Sequence, residues 1–287
     1  MLAENASDIV YRVTTDGIFE WVSPSMVTVL GWDPAQLVGT SSADIMVAED
    51  RAQALERRTE IAAGNHNQPI VVRFRTSWGG VREMSGTTHP VWSDDGTEVV
   101  GAIVGLRDVT EEQRIRRELA YRASHDSLTG VANRDDLMTR LRRHLEVPAE
   151  RELDVGVLFC DVDNLKSFND AYGHPVGDAV LATVADRLVA SVRGHDVVAR
   201  IGGDEFVVVL GDVAGLEQLA TIAEKCRHTV AEPILEDGRS IEVTVSVGAV
   251  LAAANEDADD VLKRADSAVY RAKAAGRDRV SVEDALL

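Results

Sequence analysis

Asp161 and Asp163 stand two residues apart at the end of an apolar run, residues 155–162, and Asp204 and Glu205 follow Gly202 and Gly203 in VVARIGGDEFVVVL, residues 197–210. Residues two apart share a side of a strand if the strand continues. The β-branched runs around the glycines read as a hairpin, with both acids at or beside its turn. The same half of the chain carries Lys166, Asn169, His174 and Asp178, then Lys273 and Arg277. Carboxylates facing a triphosphate repel it, by ~4 kcal/mol per pair of unit charges at about 4 Å and an effective dielectric of about 20. Acids and cations in one site are reconciled when a hard divalent cation sits between carboxylate and phosphate, and Mg2+ suits such oxygen ligands. Acids at strand ends alone usually meet solvent or cap a helix; the basic and amide residues are what argue for a site.

The elements that must position these residues alternate. Residues 135–145 read as a helix and 155–162 as a buried central strand. Residues 175–192 place Val176, Val180, Val184 and Leu188 on one face of a helix that starts with proline. After the hairpin come a helix over 216–230, a strand over 241–251, a helix over 258–275 and a short strand near Val280. Strands alternating with helices around one antiparallel hairpin predict an α+β or α/β layered sandwich with a ferredoxin-like or palm-type core. Lys273 and Arg277, four apart on the last helix, share a face.

Residues 2–110 have a different texture. Runs at 9–13 and 18–22 flank a turn ending in Asp16-Gly17, helical pieces follow at 24–30, 34–38 and 48–63, and strand-like runs at 70–76, 81–91 and 99–108 close the segment. Trp21, Trp32, Trp78 and Trp92 read as core packing rather than pocket lining. The connector, residues 111–125, opens with Thr110, Glu111 and Glu112, a hydroxyl cap and first-turn acids. Ile115, Leu119 and Ala123 form one apolar stripe on an otherwise polar helix, the pattern of a helix that pairs with a copy of itself.

Composition narrows the classes. A chain of 287 residues, 45% hydrophobic and 27% charged, has room for two soluble domains. A formal net charge of −18 repels nucleic acid and anionic membrane, so a nucleotide must be taken up through local basic groups or a cation. Two cysteines, Cys160 and Cys226, fit a reducing interior, and Cys160 reads as packing. No window approaches the roughly 18 apolar residues of a membrane span and no signal peptide opens the chain, so a cytoplasmic protein without a membrane segment is expected.

Two resemblances follow. Over 2–110, the order of two strands, short helices and three strands, with ENASDIVYRVTTDGIFEWVSPSMVTVLGWDPAQLVG at the start and Arg107-Asp108-Val109-Thr110 at the exit, resembles the PAS family of sensor domains. This segment has no cysteine for a flavin-linked photosensor, and His66 and His89 read as solvated rather than as haem ligands, so the PAS ligand stays open. Over 126–287, DSLTGVANR (126–134), DVDNLKSFNDAYGHPVGDAVL (161–181), RIGGDEF (200–206) and YRAKAAGRD (270–278) together resemble the GGDEF family, the bacterial diguanylate cyclases. Leu165, Val131 and Asp278 depart from its usual phenylalanine, leucine and asparagine.

The GGDEF resemblance implies condensation of two GTP into cyclic di-GMP and two pyrophosphates, by a homodimer in which each domain holds one GTP. It implies Mg2+, or Mn2+ in its place, on Asp161, the Val162 carbonyl and Asp204, with Glu205 on a second ion. Asp204 would accept the proton of the attacking hydroxyl and Lys166 would stabilise charge on the triphosphate. Gly202 and Gly203 would border the substrate, Asn169 and Asp178 would read guanine, His174 lies in the same loop, and Lys273 with Arg277 would hold phosphates. Arg193 and Asp196, in RxxD, match the inhibitory product site, with Lys225 or Arg227 as a second basic contact. Two alternatives are a non-catalytic nucleotide receptor and the front part of a longer cyclase–phosphodiesterase chain; the intact signature speaks against the first.

Overall fold

The computed structural model describes residues 8–62, 69–146, 154–236, 239–253 and 256–283. The chain divides into two compact units, Met1–Glu118 and Leu119–Leu287.

In the first unit, β1 (Ile9–Thr14) and β2 (Phe19–Val22) form the expected hairpin, and α1 (Ser25–Leu30), α2 (Pro34–Leu37), two short 3-10 turns and α3 (Arg51–Ala62) follow. Next come β3 (Ile70–Arg75), β4 (Val81–Trp92) and β5 (Val99–Asp108), giving an antiparallel sheet of order β2-β1-β5-β4-β3. Alternation puts Ile9, Tyr11 and Val13 of β1 on the core face with Phe74, Met84 and Leu106, where Met26 and Leu30 of α1 cover them. Three of the tryptophans depart from the core expectation: Trp21, Trp78 and Trp92 are about half exposed. Trp21 lies on the outward stretch of β2, where Phe19 and Val22 take the inward positions. Trp32 packs against the core, and its Nε1 donates to the Arg75 carbonyl at 2.7 Å. A cavity of about 60 Å3 lies over the sheet, lined by Tyr11, Ser42, Met46, Phe74, Thr88 and Val104. His89 is exposed on β4, and His66 lies outside the described residues.

Helix α4 (Thr110–Ser124) runs across the division between the units and buries none of its residues. Ile115 and Leu119 of the expected stripe are exposed.

The second unit runs α5 (Arg134–Leu145), β6 (Asp154–Val162), α6 (Leu165–Tyr172), α7 (His174–Ser191), β7 (Val197–Gly202), β8 (Glu205–Val213), α8 (Leu216–Val230), β9 (Ile234–Glu236), β10 (Arg239–Ile241), β11 (Val245–Leu251), α9 (Ala258–Ala274) and β12 (Val280–Glu283). Its main sheet has the order β12-β11-β6-β8-β7, with only β12 parallel to its neighbour. Within it, β6-α7-β7-β8-α8-β11 is a ferredoxin-like βαββαβ unit. Alternate residues of the sheet face opposite layers. Leu158, Cys160 and Val162 pack with α7 and α8, while Val157 and Phe159 pack with α5 and α9. Both cysteines are buried free thiols.

Two elements differ from the sequence reading. The strand expected over 241–251 is broken: β10 pairs with β9 in a separate ribbon, and residues 242–244 leave the sheet. Thr244 is drawn off by Asp163, whose N–H donates to the Thr244 carbonyl at 2.9 Å. The sequence reading also assigns no helix over 165–172, where α6 forms. Gly248 explains how α9 lies on β11: a Cβ there would stand 2.2 Å from the Ala265 carbonyl oxygen. Closeness at that point fixes where the C-terminal end of α9 delivers its lysine.

Candidate active site

The site begins with strand parity. Asp161 lies two residues beyond Phe159 and Glu205 two before Val207, so both carboxylates emerge on the α9 side of the sheet. They are register partners across β6 and β8. Like charges directly opposite on a sheet repel, and nearly buried Asp161 has little water to screen them. Burial pushes the Asp161 carboxyl above the usual carboxylate range, Asp204 and Asp163 add to the rise, and Lys273 opposes it. Glu205 is pushed up as well, first by burial and then by Asp161 and Asp204. One cation already answers this crowding: Lys273 Nζ lies 2.6 Å from Asp161 Oδ2.

The hairpin turn is held from below. Val162 N–H donates to the Asp204 carbonyl at 3.0 Å. Arg200 donates through Nε and Nη2 to the Gly203 carbonyl at 3.0 and 2.7 Å, and through Nη1 to Asp126 Oδ1 at 3.0 Å. Asp126 also caps Thr129. The block at 126–134 is thereby tied to the turn through an arginine to which the sequence reading gives no role.

Asp163 does not join Asp161. The strand ends at Val162, Asn164 takes a left-handed φ of 59°, and Asp163 turns into the protein. Its carboxylate accepts from Thr244 Oγ1 at 2.7 Å, Ser246 Oγ at 2.8 Å and the Asp278 N–H at 3.1 Å. Asp163 therefore anchors the turn after α9, where Gly276, Arg277 and Asp278 have φ of 119°, 61° and 45°. Two non-glycine residues in that region are strained, and such strain persists only where neighbours enforce it. Arg227 enforces it from the other side, with Nη1 2.5 Å from Asp278 Oδ1. Arg277 therefore does not share a helix face with Lys273 as the spacing predicts: α9 ends at Ala274, and Arg277 is exposed in the turn, its Nε 4.0 Å from Asp163 Oδ1.

Asn169 lies on α6 with its Oδ1 buried and without a hydrogen-bond partner among the described residues. Lys166, His174 and Asp178 are exposed on α6 and the first turn of α7, and among the described residues they form no ion pair. Gly202 and Gly203 are exposed at the turn. On the approach to the hairpin, Asp196 Oδ2 accepts from the Arg193 N–H at 2.8 Å and Oδ1 from the Gly211 N–H at 3.3 Å, while the Arg193 residue is exposed. These two residues and Arg140 line a groove of about 240 Å3. Lys225 is engaged with the Ser191 carbonyl at 2.8 Å, and Arg227 with Glu224 and Asp278.

Among the described residues no three His, Cys, Asp or Glu side chains close into a metal cage. An open set of carboxylates crowded enough to raise their pKa suits a cation that Mg2+ chemistry completes with water and substrate phosphate. A ferredoxin-like core that presents such a pair beside a helix-borne lysine marks a class of site in which carboxylates and a cation meet. Comparison with known proteins gives this class its family. Residues 123–279 match the family described as diguanylate cyclase, GGDEF domain, and residues 3–114 match the PAS fold.

Over 217 residues the chain is 35% identical to probable diguanylate cyclase DgcE of Escherichia coli K12, covering 75% of this chain and 19% of that protein. Over 248 residues it is 30% identical to a diguanylate cyclase of Vibrio cholerae, covering 86% and 73%. The second unit's fold is similar to the crystal structure of the coiled coil and GGDEF domain of DgcB from Caulobacter crescentus in complex with c-di-GMP, with a TM-score of 0.55 and 29% identity over 60% of this chain and 94% of that one. The chain belongs to the GGDEF diguanylate cyclase family and carries a PAS-fold domain ahead of the GGDEF domain. It spans about a fifth to a half of the length of several curated relatives it matches. Cyclases of this family depend in general on a divalent metal. Among the described residues no helix is long and apolar enough to cross a membrane.

Proposed function

We propose that this protein is a diguanylate cyclase that joins two GTP molecules into cyclic di-GMP. In each half-reaction the 3′-oxygen of one GTP attacks the α-phosphorus of the other. The Pα–O bond to the β-phosphate breaks, pyrophosphate leaves, and the 3′-hydroxyl proton passes to Asp204. The cross-strand pair of Asp161 and Glu205 facing Lys273 is the observation that carries this reading, because it joins opposed carboxylates to a phosphate-binding cation. Asp161, the Val162 carbonyl and Asp204 would hold Mg2+ or Mn2+, with Glu205 at a second ion. A bound ion there supplies Lewis-acid stabilisation of the phosphoryl oxygens.

Lys273 and Arg277 hold the triphosphate, Lys166 answers charge that develops on it, and Gly202 and Gly203 leave the turn open to it. Asn169 and Asp178 read the guanine edge beside His174. An acidic side chain accepts from guanine N1–H and N2–H, a pair adenine lacks. Each GGDEF domain supplies half of a site, so product requires two copies, and the exposed stripe of α4 suits their pairing as a homodimer. The PAS-fold domain controls that encounter. The reading is tested with purified protein, GTP and Mg2+: cyclic di-GMP accumulates, and its absence with dimeric protein sinks the proposal.

Arg193 and Asp196 form the inhibitory product site. Asp196 holds its own turn, which leaves the Arg193 guanidinium to fork onto a phosphate. Arg193→Ala is expected to raise the product concentration for half-inhibition about tenfold or more, in line with a charged hydrogen bond of about 1.5–3 kcal/mol. Progress curves with added cyclic di-GMP measure it; unchanged inhibition discards the assignment.

A further inference from the structure

Gly177 sits buried in the first turn of α7 with an ordinary helical backbone, so its φ gives no reason for glycine. Alanine would serve the helix better. What excludes a side chain is Asn169: a Cβ on Gly177 would stand 1.8 Å from Asn169 Oδ1 and 2.9 Å from its Cγ. The two helices meet at Gly173, whose N–H donates to the Asn169 carbonyl at 2.8 Å and whose carbonyl accepts from the Gly177 N–H at 3.3 Å. The Asn169 amide therefore lies over the bare backbone of Gly177, one residue before Asp178. Among the described residues no donor meets its Oδ1, which is covered in this orientation of the amide. A covered acceptor without a donor is costly, and turning it onto an N–H of a bound ligand removes that cost.

We propose that Gly177 is a positioning residue for purine recognition: its missing side chain leaves the Asn169 amide the room to turn its oxygen onto an N–H of the base. This rests on the guanine role given above to Asn169 and Asp178. A methyl group at 177 moves the amide without harming the fold, because the Asn169 side chain can swing where backbone cannot. Buried groups built to pair with one ligand edge discriminate strongly when the pairing is lost.

The test compares Gly177→Ala, Asn169→Ala and the double variant by steady-state kinetics with GTP and with ITP, which lacks the 2-amino group, together with thermal melting. For Gly177→Ala we expect the KM for GTP to rise about tenfold, kcat to change less than about threefold, and the melting temperature to hold or rise. The preference for GTP over ITP falls toward that of Asn169→Ala, and the double variant is no worse than Asn169→Ala alone. A normal KM in Gly177→Ala while Asn169→Ala is impaired overturns this inference and spares the guanine reading. A normal KM in Asn169→Ala overturns both. A lowered melting temperature with a defect that adds to that of Asn169→Ala makes Gly177 a packing residue and also overturns the inference.

Discussion

Asp204→Ala is expected to lower cyclic di-GMP synthesis by about a thousandfold or more, with a fold that melts within a few degrees of the parent. A loss of that size corresponds to about 4 kcal/mol of transition-state stabilisation, the scale reached when a group aimed at developing charge is removed. Asp204 lies in the hairpin turn, and its carbonyl accepts the Val162 N–H; that backbone bond survives truncation of the side chain. Asp161→Asn should be as damaging to activity and yet stabilise the metal-free protein. The Asp161 carboxyl is raised mainly by burial, so the native state holds its proton to higher pH than the unfolded chain does. Stability is therefore lost as pH rises through the window between the two values, and stays lost above it. The asparagine variant never incurs that loss. Its advantage over the parent, measured by thermal melts in EDTA, should grow with rising pH and then level off. An advantage that shrinks with rising pH, or full activity in Asp204→Ala, contradicts the site described above.

Lys273→Met is expected to move two affinities in opposite directions. Lys273 stands 2.6 Å from Asp161, on the carboxylate assigned to the divalent ion, while its proposed partner in the complex is the triphosphate. An incoming cation must displace the ammonium, and the nucleotide gives it a new place. Without the ammonium, Mn2+ binding in the absence of nucleotide should tighten severalfold. The KM for GTP should rise about 10- to 100-fold, the worth of about 1.5–3 kcal/mol for a charged hydrogen bond. Titration calorimetry with Mn2+ alone and steady-state kinetics with GTP separate the two. If Mn2+ affinity falls along with GTP affinity, Lys273 supports the metal site instead of competing for it. Wyman linkage then follows in the parent protein: whatever factor the nucleotide adds to metal affinity, the metal adds to nucleotide affinity.

Much of the second unit is legible from residue types alone. The apolar run of β6, the valine stripe of α7 and the hairpin of β7 and β8 are periodic and long, and their elements form where periodicity puts them. Asp163 was harder, because its side chain's direction depends on whether the strand runs one residue further, and no periodicity spans a single residue. Thr244 and Ser246 decide it by supplying hydroxyls from a segment 81 to 83 residues away. The same pull breaks the strand expected over 241–251. The GGDEF resemblance assigns Lys273 to phosphate, yet its place against Asp161 depends on how closely α9 approaches β11, which Gly248 sets and which spacing alone does not reveal. In the first unit, Trp21 escapes the rule that large aromatics pack inside, since β2 has only two inward positions and phenylalanine and valine occupy them.

The buried carboxylate of Asp163 has a consequence for how the protein becomes competent during synthesis. Its three donors come from 81, 83 and 115 residues further along the chain. Closing loops of that length has an entropic cost that local contacts do not recover, so these bonds can form only after β11 has paired with β6. The turn bearing Arg277 is thus fastened last, by a segment close to the end of the described chain. A ribosome-bound or truncated chain that ends before Asp278 already contains Asp161, Asp204 and Glu205 but has no fastened grip on a triphosphate. On the function proposed above, nucleotide binding in this unit reports that β11 and the turn after α9 are both in place.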